Sequence, residues 1–134
     1  MRLVDVYSDD RSFAVLYRLL EEREPDMNVH HTRMPTWAEH TAYVSSRPYI
    51  GWYLLEVDGS IVGSVYLTKG CEIGVFIFKE FQGRGYGPEA VRMLMREHPQ
   101  KCFVANINPR NGRSIGMFEG MGFRHIQNTY VVTP

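Results

Sequence analysis

A glycine-rich turn between an apolar run and a predicted helix is the first part of this sequence that could bind a ligand. The apolar run covers 72–78, and the turn after it contains Gln82, Gly83, Arg84, Gly85, Tyr86 and Gly87. Glycines let consecutive backbone amides point into one concavity, and a helix N-terminus adds unpaired donors and a partial positive charge. The turn therefore predicts a phosphate or pyrophosphate site. The alternative is a turn whose glycines serve only tight packing.

The spacing of this turn excludes two common phosphate binders. A dinucleotide-binding turn needs glycine at position 88, where this chain has Pro88, and the Gly-Lys-Ser/Thr of a P-loop is absent. Proline is tolerated in the first turn of a helix, so the helix is predicted to begin between Gly85 and Gly87.

A second motif lies between positions 106 and 123. It contains Asn-Ile-Asn-Pro-Arg-Asn-Gly-Arg-Ser over 106–114 and Met-Phe-Glu-Gly-Met-Gly-Phe over 117–123. Together with the turn at 82–87, it resembles the GNAT superfamily of N-acyltransferases. That family carries Gln/Arg-x-x-Gly-x-Gly/Ala after its fourth strand, an Asn at the start of the helix after its fifth strand, and Leu/Met-Gly-Phe at the end of that helix.

The resemblance implies that acetyl-CoA is the acyl donor and assigns residues to it. The amides of 82–87 would bind the pyrophosphate. The pantetheine arm would lie like an added strand, where the fourth and fifth strands splay apart, against backbone groups of Phe76, Ile77 and Phe78. Further contacts would come from Asn108, Asn111 and Ser114. Asn111 is also the expected N-cap of the last helix, and Asn108, before a proline, is equally a turn residue.

The reaction that the resemblance implies is direct attack of a neutral amine on the thioester. An alkylammonium is not a nucleophile, so water or a base must take its proton. Glu72 is the first candidate, because a carboxylate beside an apolar strand is partly desolvated; a surface Glu at a strand end is the equal alternative. Many family members protonate the departing thiolate with a Tyr where this chain has Phe118. Ser114, a water, or no dedicated acid would replace it.

The acceptor is predicted to contact the loop and helix within 26–47. His31, Trp37 and His40 are the predicted acceptor-binding residues. The neighbouring pair His30 and His31 predicts no metal site, because adjacent loop side chains diverge and a third ligand is absent.

Several acceptors are compatible with the sequence. The first hypothesis is a primary amine of a small molecule such as an amino sugar or an antibiotic. The alternatives are a protein N-terminus or lysine, and a non-catalytic acyl-CoA-binding sensor. Arg33 and Arg47, if they faced the site, would favour a phosphorylated sugar.

The elements needed to position these residues follow the order β-α-α-β-β-β-α-β-α-β-β. Helices are predicted from Phe13 to before Pro25, from the capping box Thr36–Glu39 to about Ser45, from the glycine-rich turn to near His98, and from about Gly112 to Met121 within the second motif. Strands are predicted at 2–7, 49–57, 60–67, 72–78 and 102–107, with two short ones within 124–132; Asp58-Gly59 predicts a hairpin turn. The expected fold is a single α/β (α+β) domain over 1–134. Its mixed, mostly antiparallel sheet would have six to seven strands, helices on both faces and a splay between the fourth and fifth strands.

Composition limits the partners. The chain has 134 residues, with 15 basic against 15 acidic side chains, so nothing in its net charge attracts nucleic acid or an acidic membrane. No apolar run approaches the roughly 20 residues of a membrane-spanning helix. Two cysteines and a charged start predict a reduced, cytoplasmic protein. Exposed edge strands are compatible with a monomer or a homodimer.

Overall fold

Four strands that follow one another along the chain form an antiparallel sheet in the computed structural model, which describes residues 1–23 and 33–134. The strands are β1 (Arg2–Asp5), β2 (Gly51–Val57), β3 (Ser60–Leu67) and β4 (Ile73–Ile77). The helices are α1 (Ser12–Glu22), α2 (Trp37–Ser45), α3 (Tyr86–Glu97) and α4 (Gly112–Gly120). Short 3-10 turns follow β1 and β4.

A tight hairpin connects β2 to β3. Asp58 and Gly59 have φ values of 49° and 80°, the positive φ that the turn requires at both central positions. Val57 therefore pairs with Ser60, and after a register shift between Leu55 and Glu56 the ladder continues to the pair of Trp52 and Tyr66. The predicted hairpin is confirmed.

Helices cover both faces of the sheet, as predicted. On one face Leu55, Val65 and Ile73 form a core with Leu94 of α3 and Phe118 of α4. On the other face Trp52, Leu54 and Phe78 form a second core with residues of α1 and α2 that include Leu16 and Val44. Within the described ranges, none of these helices has the length and apolar content needed to cross a membrane.

The predicted sheet of six to seven strands is wrong. Of the segment 102–107, only Val104 pairs with the sheet, through a single parallel bridge to Glu72. No strand forms within 124–132, where Tyr130, Val131 and Val132 are exposed. Because the segment 102–107 diverges from β4 after one bridge, it offers the C-terminal segment no regular edge to pair with.

The N-terminus of α2 is closed by the predicted capping box. The Thr36 hydroxyl accepts from the amide of Glu39 at 3.1 Å, and the Glu39 carboxylate accepts from the amide of Thr36 at 2.9 Å. Arg33 also donates to that carboxylate. The hydrogen bonds from Arg33 and from Thr36 lower the pKa of Glu39 from 4.5 to about 2.

Glu39→Gln tests the charged part of this cap, since glutamine still accepts the Thr36 amide. A lowered folded pKa stabilises the fold above the ordinary pKa, and this contribution disappears as the pH falls from 4.5 towards about 2. Urea unfolding should therefore show the variant less stable than the wild type at pH 7, with a smaller difference near pH 3. An equal difference in stability at both pH values would show that the charge of the Glu39 carboxylate does not stabilise the fold.

Candidate active site

One edge of β4 has no neighbouring strand over most of its length. Phe78 donates its amide to Val62 of β3, and the amide of Thr68 donates to Glu72, so the even-numbered residues of this strand direct their backbone groups towards β3. The odd-numbered residues point the other way. Ile73 donates to Val104 at 2.8 Å, and the pairing stops there. Val75 and Ile77 therefore face a gap between β4 and the diverging chain.

This register changes the predicted contacts of the pantetheine arm. Among Phe76, Ile77 and Phe78, only Ile77 directs its backbone to the open edge, where its carbonyl accepts from Gln82. The backbone groups of Phe76 and the amide of Phe78 face β3. Val75, which sequence reasoning did not select, has the same orientation as Ile77. An extended ligand in the gap can thus pair with Val75 and Ile77 as a further strand would.

The glycine-rich turn continues this open edge. Gly83 and Gly85 have φ values of 80° and 82°, in the left-handed region that favours glycine. No atom of the described chain lies within 4 Å of where a Cβ would sit on either residue, so conformation and not tight packing requires glycine here. Within the described residues, the amides of 83–87 donate to no backbone or side-chain acceptor.

The turn ends where α3 begins, at Tyr86, as predicted. Gly85 is the N-cap residue and provides no side-chain cap, and Pro88 occupies the first turn. Gly87 lies against α4, since a Cβ there would approach the Met117 sulfur to 3.0 Å. The N-terminus of α3 thus adds its partial positive charge to the unpaired amides.

Side chains of the turn tie it to the strand and to α4. Gln82 donates from Nε2 to the carbonyl of Ile77 at 3.0 Å and accepts from the guanidinium of Arg113. Arg84 donates to the carbonyl of Glu80 at 3.3 Å and lies over the ring of Phe81. Both arginine side chains are exposed beside the turn, where they can also meet a phosphate.

The start of α4 is organised by its two asparagines. Asn111 is the N-cap, and its side-chain oxygen accepts from the amide of Ser114 at 3.2 Å. Asn108 accepts the amide of Arg110 on its side chain and the amide of Asn111 on its carbonyl, which is the turn role left open by the sequence. Ser114 is half-buried in the first turn of α4. Contacts from these three residues to the donor stay a prediction.

Glu72 lies at the start of the gap, beside the bridge to Val104. It is half-buried and precedes β4, and its amide donates to the Thr68 hydroxyl at 3.0 Å. By strand alternation its side chain shares a face with Phe76, the face covered by α1 and α2. The carboxylate is therefore on the opposite face of the sheet from α3 and α4.

Aromatic side chains share that face with Glu72. Tyr66 stacks on Tyr49 with ring centroids 4.0 Å apart and lies 6.1 Å from Phe76. Burial raises the pKa of Tyr66, and the charge of Glu72 raises it further. Burial and the hydrogen bond to Tyr43 raise the pKa of Tyr49. These phenols are accordingly neutral hydrogen-bonding groups at neutral pH.

The predicted acceptor residues are not brought together. His40 is only 4% exposed, and its Nε2 lies 2.9 Å from the Phe13 carbonyl; burial lowers its pKa. Its ring packs against both Tyr17 and Trp37, so His40 helps to join α1 to α2. Its contact with the acceptor stays a prediction. Trp37 is 49% exposed at the start of α2. His31 lies outside the described residues.

Two arginines that could have indicated a phosphorylated acceptor are engaged elsewhere. Arg33 forms an ion pair with Glu39 at 3.0 Å. Arg47 lies over the ring of Tyr7, 4.0 Å from its centroid. In residues 1–23 and 33–134, no three His, Cys, Asp or Glu side chains are grouped to hold a metal ion.

Phe118, at the position of the family tyrosine, is a core residue. It is 4% exposed and packs edge-to-face on Phe123, with ring centroids 5.0 Å apart. Gly122, with a φ of 95°, ends α4 in the predicted left-handed conformation, and the amide of Phe123 donates to the Phe118 carbonyl. The side chain therefore stabilises the fold and has no proton to donate.

The geometry defines a class of protein: one whose open strand edge continues into a helix N-terminus, with a carboxylate at the closed end of the gap. Residues 3–124 match the family model described as Acetyltransferase (GNAT) domain. The chain belongs to this acetyltransferase family. Acetyl-CoA is the donor substrate that fits the family.

Solved structures with the same fold differ widely in sequence. A protein from Salmonella typhimurium, solved with its cofactor acetyl-CoA, is 18% identical with a TM-score of 0.65, covering 91% of this chain and 77% of its own. A ribosomal-protein-alanine N-acetyltransferase from Brucella melitensis is 16% identical with a TM-score of 0.69, covering 94% and 85%. An aminoglycoside N-acetyltransferase in complex with CoA is 13% identical with a TM-score of 0.71, covering 99% and 92%. No curated protein matches the chain.

Gly85→Val tests the turn as the binding site of the pyrophosphate. A β-branched residue at a φ of 82° costs roughly 1–2 kcal/mol, so the turn should rearrange and withdraw its amides. Calorimetric titration should show CoA binding weakened by at least about tenfold. Gly116→Ala is the matched control, because a Cβ within α4 meets open space; it should keep the affinity and gain roughly 0.5–1 kcal/mol of stability. Unchanged affinity in Gly85→Val would contradict the assignment.

Proposed function

We propose that this protein transfers the acetyl group of acetyl-CoA directly to a primary amine of a small molecule. One observation carries the proposal: the open edge of β4 at Val75 and the amide of Ile77 is followed, after one 3-10 turn, by the unpaired amides of 83–87. A pantetheine arm needs peptide-like partners and a pyrophosphate needs clustered amides. The strand edge comes first along the chain and the turn follows it, which matches the order of the pantetheine arm and the pyrophosphate in CoA.

Backbone amides suit this donor better than a basic surface would in a chain of zero net charge. CoA carries several negative charges, which the N-terminus of α3 and the exposed guanidinium groups of Arg84 and Arg113 would balance locally. Gln82, Asn111 and Ser114 would complete the donor site from the turn and from α4. Acetyl-CoA supplies an activated acyl group, and the protein holds its thioester in the gap.

Glu72 is the proposed base. Its side chain stands at the closed end of the gap, on the face opposite to α3 and α4, so an amine that enters from the side of α1 and α2 would reach donor and carboxylate together. Holding both reactants there would supply much of the rate. Phe118 leaves α4 without an acid at the family position, so the thiolate would take its proton from Ser114 or from water.

The contacts of Arg33 and Arg47 support an acceptor without a phosphate group, because neither guanidinium is placed beside the gap. A second candidate is an acyl-CoA sensor without turnover, which the loss of the family tyrosine at Phe118 favours. Acetylation of a protein N-terminus or lysine is the third.

A thiol-release assay distinguishes these functions. Acetyl-CoA is offered with an amino sugar, an aminoglycoside, a simple alkylamine and a peptide with a free N-terminus. Release with one of the small amines is the expected result. Release with the peptide alone would assign protein acetylation, and CoA binding without release for any acceptor would assign the sensor.

Glu72→Gln should lower kcat by about a hundredfold or more, the range of general base catalysis, while the affinity for acetyl-CoA is unchanged. Its rate should rise with pH, because the amine then loses its proton to solvent. Glu97→Gln, an exposed carboxylate at the end of α3, is the matched control and should behave as wild type. Wild-type turnover in Glu72→Gln would remove Glu72 from the mechanism.

A further inference from the structure

A tyrosine from the neighbouring strand crosses β4 at its only glycine. Tyr66 of β3 pairs with Gly74 of β4, and a Cβ on Gly74 would fall on the Tyr66 ring, 2.5 Å from the hydroxyl oxygen. Any larger residue at position 74 would displace the ring. The missing side chain therefore lets the phenol lie flat over β4, with its hydroxyl above the strand that borders the gap.

The neighbours of that hydroxyl follow from the register. Glu72 and Phe76 lie two residues before and after Gly74, so their side chains are on the same face as Tyr66. The Phe76 ring is 6.1 Å from the Tyr66 ring, and Arg23 covers Phe76 at 3.5 Å from its centroid. The charge of Glu72 acts on the Tyr66 hydroxyl. Along β4, Glu72 and the Arg23–Phe76 pair thus lie on opposite sides of Gly74, the position that Tyr66 covers.

The phenol is held rigidly in this position. Tyr49 stacks on it with an interplanar angle of 5°, and Tyr49 is fixed in turn by a 2.8 Å hydrogen bond to Tyr43. Trp52 packs on both rings from β2. Three aromatic residues, from α2, the chain before β2 and β2 itself, therefore hold the Tyr66 ring and fix its hydroxyl over β4.

We propose that Tyr66 binds the acceptor amine: its hydroxyl oxygen accepts an N–H hydrogen bond while Glu72 takes the ammonium proton. The two groups together would orient the nitrogen lone pair towards the gap. This assignment rests on the proposed function, because an amine is bound only if the protein acetylates one. A hydroxyl is suited to the task, since it can keep its hydrogen bond to nitrogen in both the charged and the neutral amine.

Tyr66→Phe removes the hydroxyl and keeps the ring stack, so the fold should survive. For the small amine that serves the wild type best, kcat/KM should fall by at least about tenfold, as for loss of a hydrogen bond to a charged group. The KM for acetyl-CoA and the affinity for CoA should not change. A merely structural role would alter the donor parameters together with those of the acceptor, because Tyr66 pairs with β4 and its ring covers Gly74 of that strand.

Tyr53→Phe is the matched control. Tyr53 is a half-buried strand tyrosine on the other face, where its hydroxyl lies 2.6 Å from His98. The Tyr53→Phe variant should keep kcat/KM for the amine within about twofold of the wild-type value. Wild-type kcat/KM for the amine in Tyr66→Phe would overturn the assignment. A wild-type protein that releases no thiol with any amine would instead defeat the proposed function, so the two failures are distinguishable.

Discussion

The pairing of β4 on one edge only is the constraint on which the rest of the site depends. β3 takes the even-numbered backbone groups, a single bridge at Glu72 fixes the far edge, and the chain beyond Val104 diverges. Unpaired amides are normally costly unless water or a ligand satisfies them. Here such groups occur at the open edge of β4 and again at the turn at 83–87, and an extended, anionic donor would need both.

In the proposed reaction the sheet separates the two reactants. The proposed donor contacts lie at the open edge, the turn and the start of α4, whereas Glu72 and Tyr66 stand on the face of α1 and α2. With this arrangement, residues on the α1 and α2 face could change the acceptor without changing the turn.

Most local structure followed from the sequence. Asp58-Gly59, the Thr36–Glu39 capping box, Pro88 and Gly122 each have a local conformational reason, and each element boundary that they predict is present. The absence of the predicted later strands could not be predicted from local sequence. The segment 102–107 is β-prone, but its pairing depends on a partner elsewhere in the chain. Selecting Val75 as a donor contact requires the register of β4. Selecting Tyr66 requires the pairing of β3 with β4, which places it opposite Gly74. His40 is a predicted acceptor-binding residue and is buried, because sequence spacing does not show which face of α2 meets α1.

The central claim is that the donor binds to the open edge and the turn through backbone amides. A 1H–15N correlation spectrum of the labelled protein, recorded during titration with CoA, tests it amide by amide. The largest shifts should fall on Val75, Ile77 and the amides of 83–87, with small shifts at Phe76 and Phe78, whose amides are engaged with β3. Saturation with CoA that leaves the amides of 83–87 unchanged would contradict the account.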